Sequence, residues 1–121
     1  MTVRRADADD YRPLMAVLEG ALLDVDPENV RRRIDAGEAL VAVDDGRVVG
    51  GLVRGGNEIL AVAVVRRRRG EGLGRALIDR AGAAAAEPLV ATFDGRVRDV
   101  YESLGFDVEA AADGRYRGVR R

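Results

Sequence analysis

Apolar positions change period several times along this chain, and each change marks an element. Leu14, Val17, Leu18, Ala21 and Leu22 recur at helical spacing. That spacing predicts an amphipathic helix over roughly 10–23, with Asp9 or Asp10 as its N-cap. Asp26-Pro27-Glu28 is a second helix start: a cap, a proline where its missing N–H costs nothing, and an acid in the first turn. This helix carries Val30 and Ile34 and stops at Gly37. Elsewhere the pattern is that of strands. Thr2–Ala6 reads as a short opening strand, and Ala39–Val43 and Val48–Val53 flank Asp45-Gly46 as a hairpin. After a turn at Gly55-Gly56-Asn57, Glu58–Val65 has the continuous apolar character of a buried central strand. A glycine-rich stretch then leads into a helix from about 73 to 86, which Pro88 breaks. Leu89–Phe93 is a strand and Val97–Leu104 a short helix ended by Gly105. Phe106–Ala110 and Tyr116–Val119 close the chain as a hairpin around Asp113-Gly114. The order βααβββαβαββ predicts an α/β or α+β layout, with helices against a mixed sheet.

A chain of 121 residues is expected to form one domain spanning 1–121, and 47% apolar residues suffice for its core. What is missing narrows the chemistry. There is no His, Cys, Trp, Lys or Gln, so all 20 basic residues are Arg, set against 21 acidic ones. The chain therefore builds no Ser-His-Asp or Cys-His nucleophile, no Schiff-base lysine, no zinc site on His or Cys and no disulfide. Carboxylates, guanidiniums, tyrosines and backbone amides remain, which are tools for positioning substrates and moving protons. A net charge of -1 gives no electrostatic case for a nucleic-acid or membrane-surface partner, and the run Arg66–Arg69 lacks the aromatic interleaving of a nucleic-acid site. The first ten residues contain no apolar core of a signal peptide, and the longest apolar run, Ile59–Val65, falls far short of the ~20 residues that span a bilayer. The expectation is a cytoplasmic protein.

The informative segment is Val64-Val65-Arg66-Arg67-Arg68-Arg69-Gly70-Glu71-Gly72-Leu73-Gly74-Arg75. A buried strand runs into three alternating glycines and a helix opens. Glycines let the backbone turn sharply and let N–H groups approach a ligand, and at a helix N-terminus those groups favour an anion such as a pyrophosphate. The dinucleotide fingerprint G-x-G-x-x-G fails, because its third glycine falls on Arg75 or on Leu77 depending on where it starts. The P-loop fails for want of a lysine.

Arg69-x-x-Gly72-x-Gly74 instead resembles the acetyl-CoA signature [RQ]-x-x-G-x-[GA] of the GNAT superfamily of N-acetyltransferases. Val100-Tyr101-Glu102-Ser103-Leu104-Gly105-Phe106 resembles the family's later motif, an apolar residue followed by Y-E-x-L-G-F, with a strand between the two as the family requires. The resemblance implies a GNAT fold with a mixed, mostly antiparallel sheet flanked by helices. It also implies acetyl-CoA as co-substrate and direct transfer to a primary amine, with no resident metal. Relatives are often dimers, so a homodimer is compatible with it. It assigns the cofactor to the backbone around Val62, Ala63 and Val64, where family members carry a bulge, and to Arg69, Gly70, Glu71, Gly72, Leu73, Gly74 and Arg75. Arg66–Arg68 meet the 3′-phosphate or are simply solvated. Asp94 stands where many members carry an asparagine that helps hold pantetheine.

The same resemblance gives two proton-handling residues. Tyr101 would protonate the departing thiolate, a task suited to a phenol with pKa near 10. Glu58 aligns with the glutamate base of the histone-acetylating branch, acting through a water; Asp24, Asp26, Glu28 and Asp94 are the other candidates. The acceptor is expected between the first two helices and the closing hairpin, where Asp24, Asp26 and Glu28 would attract a cationic amine. The alternative to an enzyme is a GNAT-fold module that holds CoA or an acyl-CoA without turnover.

Overall fold

The computed structural model describes residues 1–21 and 25–121. The elements are β1 (Thr2–Arg5), α1 (Tyr11–Gly20), α2 (Pro27–Asp35), β2 (Ala39–Asp44), β3 (Arg47–Gly55), β4 (Glu58–Val64), α3 (Leu73–Ala84), β5 (Leu89–Asp94), α4 (Arg98–Ser103), β6 (Asp107–Ala110) and β7 (Arg115–Arg120). This is the order expected from the sequence. Three short 3-10 turns, Ala8–Asp10, Arg66–Arg68 and Gly95–Val97, precede α1, α3 and α4.

The strands form one sheet in the order β1-β2-β3-β4-β5-β7-β6. Every neighbouring pair is antiparallel except β4 and β5, which the α3 crossover makes parallel. Side chains on the two faces form two cores. Leu40, Ala42, Ile59, Leu77, Ile78, Leu89 and Phe93 pack on the α3–α4 face. Leu14, Leu18, Val30, Ile34, Val41, Ala61 and Ala63 pack on the α1–α2 face.

Strand alternation alone would put Ile59, Ala61 and Ala63 on one face. The register explains why they divide. Val53 pairs with Ala61 but Arg54 pairs with Ile59, so Leu60 is an extra residue, a β-bulge. The bulge resets the alternation. Ile59 joins Val62 and Val64 on the α3 side, while Ala61 and Ala63 face α1.

Gly50 and Gly51 let a helix sit close on each side. A Cβ on Gly50 would lie 3.3 Å from Leu77 Cδ1 on α3, and one on Gly51 would overlap Leu14 Cδ1 on α1. Leu14 is completely buried and cannot swing away.

The start of α1 differs from expectation. Asp7 opens the turn before it, accepting the Asp9 N–H at 2.9 Å, while Asp10 accepts the Asp7 N–H at 2.8 Å, a capping box. Asp10 makes no side-chain cap on α1 itself. Its buried carboxylate is taken by Arg4 in two hydrogen bonds of 2.6 and 3.1 Å, a stronger arrangement for a charge in that position than one amide. Leu22 and the rest of the expected 10–23 helix lie outside the described residues. Asp26 caps α2 as expected, accepting the Glu28 N–H at 3.1 Å, and Gly37 takes a left-handed φ of 74° just past its end. No helix of the described residues is long and apolar enough to cross a membrane.

Two predictions follow from this packing. Gly51→Ala should destabilise the chain by about 1–3 kcal/mol through overpacking against Leu14; an unchanged urea midpoint would mean that α1 is free to retreat. The hydrogen bonds to Arg4 hold the Asp10 pKa below the usual carboxylate value, against the opposing effect of burial. A depressed pKa contributes stability above the unfolded value of about 3.9 that is lost as pH falls through the folded one. Asp10→Asn should therefore be less stable at pH 7 and lose less further stability between about pH 5 and 2 than the parent.

Candidate active site

Parallel β4 and β5 are paired at their starts, through Glu58 and Val90. Asn57 pins that end: its carbonyl accepts the Val90 N–H at 2.9 Å and its side chain donates to Pro88 O at 2.9 Å. Beyond this point the strands diverge. A cleft of about 610 Å³ opens between them, walled by Leu60, Ala61 and Val62 on one side and Thr92, Phe93 and Asp94 on the other. Ala21 at the end of α1, Val97, Val100 and Tyr101 around α4, and Arg96 and Arg115 complete its lining. A second hollow of about 430 Å³ lies against the glycine loop, lined by Val64, Arg68, Arg69, Gly70, Gly72, Leu73, Gly74 and Arg75. Val100 lines both. It is 51% exposed and Leu60 is 38% exposed, so two of the large apolar side chains left in solvent stand on this one track.

The divergence frees backbone donors. Val65 N–H bonds Val49 O on β3 at 2.9 Å. By strand alternation the Ala63 N–H also faces β3, while those of Val62 and Val64 face the open side. Arg69 confirms the sense, since its Nε donates to Val64 O at 3.1 Å from that side. Of the three expected backbone positions, the structure thus turns Val62 and Val64 toward the cleft and commits Ala63 to the sheet.

The glycine loop is shaped by backbone conformation. Gly70 and Gly72 have φ of 82° and 84°, left-handed values that cost a residue with a Cβ about 1–2 kcal/mol. A Cβ at either would meet nothing within 4 Å, so conformation and not crowding explains these two glycines. Gly74 is different, its Cβ position lying 3.4 Å from Leu104 Cδ2. The first bond of α3 runs from Ala76 N–H to Gly72 O, leaving the N–H groups of Leu73, Gly74 and Arg75 without intrahelical partners at the positive end of the helix.

The charged residues around the loop divide. Glu71 would oppose an anion, but Arg68 holds it at 2.8 Å and also holds Asp44 at 2.8 Å. Arg75 donates to Ser103 O at 3.2 Å, tying α3 to α4. Arg66 and Arg67 are exposed and form no ion pair among the described residues. A positively charged lip, unpaired amides and an open apolar track fit a phosphorylated ligand with a long thin arm.

Tyr101 sits in the cleft wall, stacked on Phe93 with centroids 4.2 Å apart and edge-on to Phe106 at 5.3 Å. Burial pushes its phenol pKa up, which keeps the proton on. Its hydroxyl has no hydrogen-bond partner among the described residues. Asp94 borders the cleft with its carboxylate engaged: it accepts the Arg96 N–H at 2.9 Å and Arg96 Nε at 3.2 Å, and the backbone bond leads in lowering its pKa.

Glu58 opens β4 as expected, exposed, at the pinned end of the two strands and not in the cleft lining. Asp26 and Glu28 do not line the cleft either, and Asp24 lies outside the described residues. Leu60, Thr92, Val97 and Arg115 line the cleft without having been found from the sequence. The apolar position before Tyr101 marked Val100, but no motif marks the others. No cluster of three metal-ligating residues occurs among the described residues.

Comparison with known proteins agrees with this geometry. The family model described as an acetyltransferase (GNAT) domain matches residues 35–108. The chain belongs to that family, the GNAT acetyltransferases. A GNAT-family acetyltransferase from Bacillus cereus superposes with a TM-score of 0.80 at 15% identity, over 98% of this chain and 93% of its own. A Mycobacterium tuberculosis protein solved in complex with CoA gives 0.79 at 18% identity, over 99% and 98%. N-acetylglutamate synthase from Neisseria gonorrhoeae, complexed with coenzyme A and N-acetyl-glutamate, gives 0.75 at 20% identity, over 99% of this chain and 34% of its own. No curated protein matches.

The loop geometry is testable by itself. Gly70→Ala and Gly72→Ala should each cost about 1–2 kcal/mol from the left-handed backbone alone. Gly46→Ala, at a hairpin turn with φ of 74° and equally open space, is the matched control in urea unfolding. A much larger loss at Gly72 would mean packing that the open surroundings do not explain.

Proposed function

We propose that residues 1–121 form one domain that transfers an acetyl group from acetyl-CoA directly to a primary amine held in the same complex. The observation that carries this reading is the adjacency of the diverging-strand cleft, with Tyr101 in its wall, to the hollow against the glycine loop, the two sharing Val100 in their linings. Bound there, the cofactor supplies the acetyl group as an activated thioester.

Each part of the chain then has a task. The N–H groups of Gly72, Leu73, Gly74 and Arg75 bind the pyrophosphate, with Arg69 beside it and Arg66 and Arg67 free for an outer phosphate. Arg68 keeps Glu71 from opposing that charge. Val100 and Leu60 give the pantetheine arm an apolar wall, and Asp94 offers it a carboxylate edge. Val62 and Val64 point fixed amide donors at the carbonyl, whose oxygen gains charge as the amine adds. With no Cys and a single Ser, which lies on α4 donating its hydroxyl to Val100 O at 2.6 Å, direct attack by the amine is favoured over a covalent enzyme intermediate. Tyr101 holds the proton that the leaving thiolate needs.

The amine must shed a proton. At pH 7 this costs ~4.6 kcal/mol for a lysine-like amine and only ~1.4 kcal/mol for an α-amine. Glu58 is the base in this reading, reaching the amine through water. Glu58→Gln should accordingly lower kcat/KM about 10²-fold for a lysine-like acceptor and much less for an α-amine; equal losses would remove Glu58 from the role.

The first experiment is thermal unfolding with acetyl-CoA, CoA, NAD and ATP in parallel. At 100 times its Kd a ligand adds ~2.7 kcal/mol, a Tm rise of several degrees for a domain of this size. A rise with acetyl-CoA and CoA alone supports the cofactor; no rise with any of them sinks it. Tyr101→Phe keeps the stack on Phe93 but has no proton to give. It should bind CoA as before, lose about 10²-fold in kcat, and lose the alkaline limb that the parent shows only above the ordinary phenol range near pH 10. Ligand-induced stabilisation with no turnover of any amine would instead identify a CoA-binding module.

A further inference from the structure

The cleft holds an uneven set of charges. Besides Tyr101, its ionisable side chains among the described residues are Asp94, Arg96 and Arg115. Asp94 and Arg96 are bound to each other. Arg115 forms no ion pair among the described residues; its guanidinium donates to the backbone of Thr92 at 3.3 Å, makes no other hydrogen bond among them, and adds to the field that lowers the pKa of its cross-strand neighbour Asp94.

Its place in the sheet says which end of the cleft it serves. Asp94 pairs with Arg115 and Thr92 with Arg117 across β5 and β7, so these four share one face. Phe93 and Tyr116, paired between them, pack on the α3–α4 core on the opposite face. Arg115 is therefore on the α1 side, and Ala21 at the end of α1 lines the same cavity. It does not line the hollow against the glycine loop. The phosphate end has its own amides and its own arginines, so Arg115 faces whatever enters from the α1 side.

We propose that the acceptor is a small amine that carries a carboxylate, as an amino acid does, and that Arg115 is the specificity residue that binds it. This rests on the acetyltransferase reading above. A guanidinium presents two parallel N–H donors matched to a carboxylate, and it never loses its charge. The same charge repels a second cation, which disfavours polyamines and aminoglycosides. It also disfavours the ammonium form of the bound acceptor, lowering the cost of the deprotonation that must precede attack. The expected acidic attraction by Asp26 and Glu28 is not built into this cavity, since neither lines it and Asp26 is committed to capping α2.

The test is a comparison of kcat/KM at saturating acetyl-CoA for glycine, L-alanine and L-methionine, for their α-amides, for spermidine, and for a C-terminally amidated tetrapeptide with an acidic second residue. The free acids should exceed their amides by about tenfold or more, the return expected for one charge-assisted pair, with spermidine poorest. A tetrapeptide better than the free acids would move the carboxylate from the α-position to a side chain and would overturn the small-acceptor assignment. Arg115→Gln should bring the acid-to-amide ratio to about one, and Arg115→Lys should retain part of it. Equal rates for acids and amides, a ratio unmoved by Arg115→Gln, or spermidine as the best acceptor would overturn the proposal. So would turnover of no amine at all. In that event the acetyl-CoA thermal shift separates the two claims: a shift retained sinks the acceptor assignment alone, and a shift lost sinks the cofactor reading with it.

Discussion

The site depends on two parallel strands that are joined at one end and not at the other. β4 and β5 pair at Glu58 and Val90, where Asn57 adds two further hydrogen bonds. Past that point each strand remains held by its outer neighbour, β4 by β3 and β5 by β7. A sheet that parts in its middle leaves backbone donors and acceptors without ladder partners, which a protein interior does not tolerate. Here the parting is open to solvent. The cost is therefore small, and the donors of Val62 and Val64 stay fixed in direction. A catalytic amide needs that rigidity, because it does no reorganising while charge develops.

Keeping such a sheet stiff requires packing on both faces, and two local devices permit it. Gly50-Gly51 removes side chains where α3 and α1 press closest. The bulge at Leu60 then lets a single strand feed both cores, Ile59 to one and Ala61 with Ala63 to the other. The same bulge leaves Leu60 itself with no core to join, so its side chain becomes cleft wall. An apolar residue exposed on a central strand would be a liability in a simple sheet; here it lines the track left by the parted strands.

The sequence makes the local features legible and hides those that depend on register. Gly70 and Gly72 are readable because a left-handed backbone favours glycine wherever the loop folds. Asp26-Pro27 is readable because capping is a matter of adjacent residues. Tyr101 is found from its motif, and the structure adds the stack on Phe93 and the burial that raises its pKa. Arg115 is invisible for the opposite reason. It is one of 20 arginines, in a hairpin without a motif, and only the pairing of β7 with β5 brings it to the cleft. Asp10 also misleads: its spacing reads as a helix cap, while a partner six positions earlier, Arg4, claims the carboxylate.

The restricted composition has a consequence for how such a site responds to pH. A chain without His, Cys or Lys has no side chain whose ordinary pKa lies between those of its carboxylates and its tyrosines. Every cation lining the cleft and the glycine loop is a guanidinium, fixed in charge across the whole working range. The electrostatic frame that would hold phosphates at one end and a carboxylate at the other therefore does not titrate. Any change in rate near neutral pH must come from the acceptor's own amine or from a carboxylate whose pKa the bound complex raises. The acceptor would then set the profile: a peptide-like α-amine near 8 reaches its plateau about two units earlier than a lysine-like amine, and a guanidinium beside the bound amine, as proposed for Arg115, would move either plateau lower.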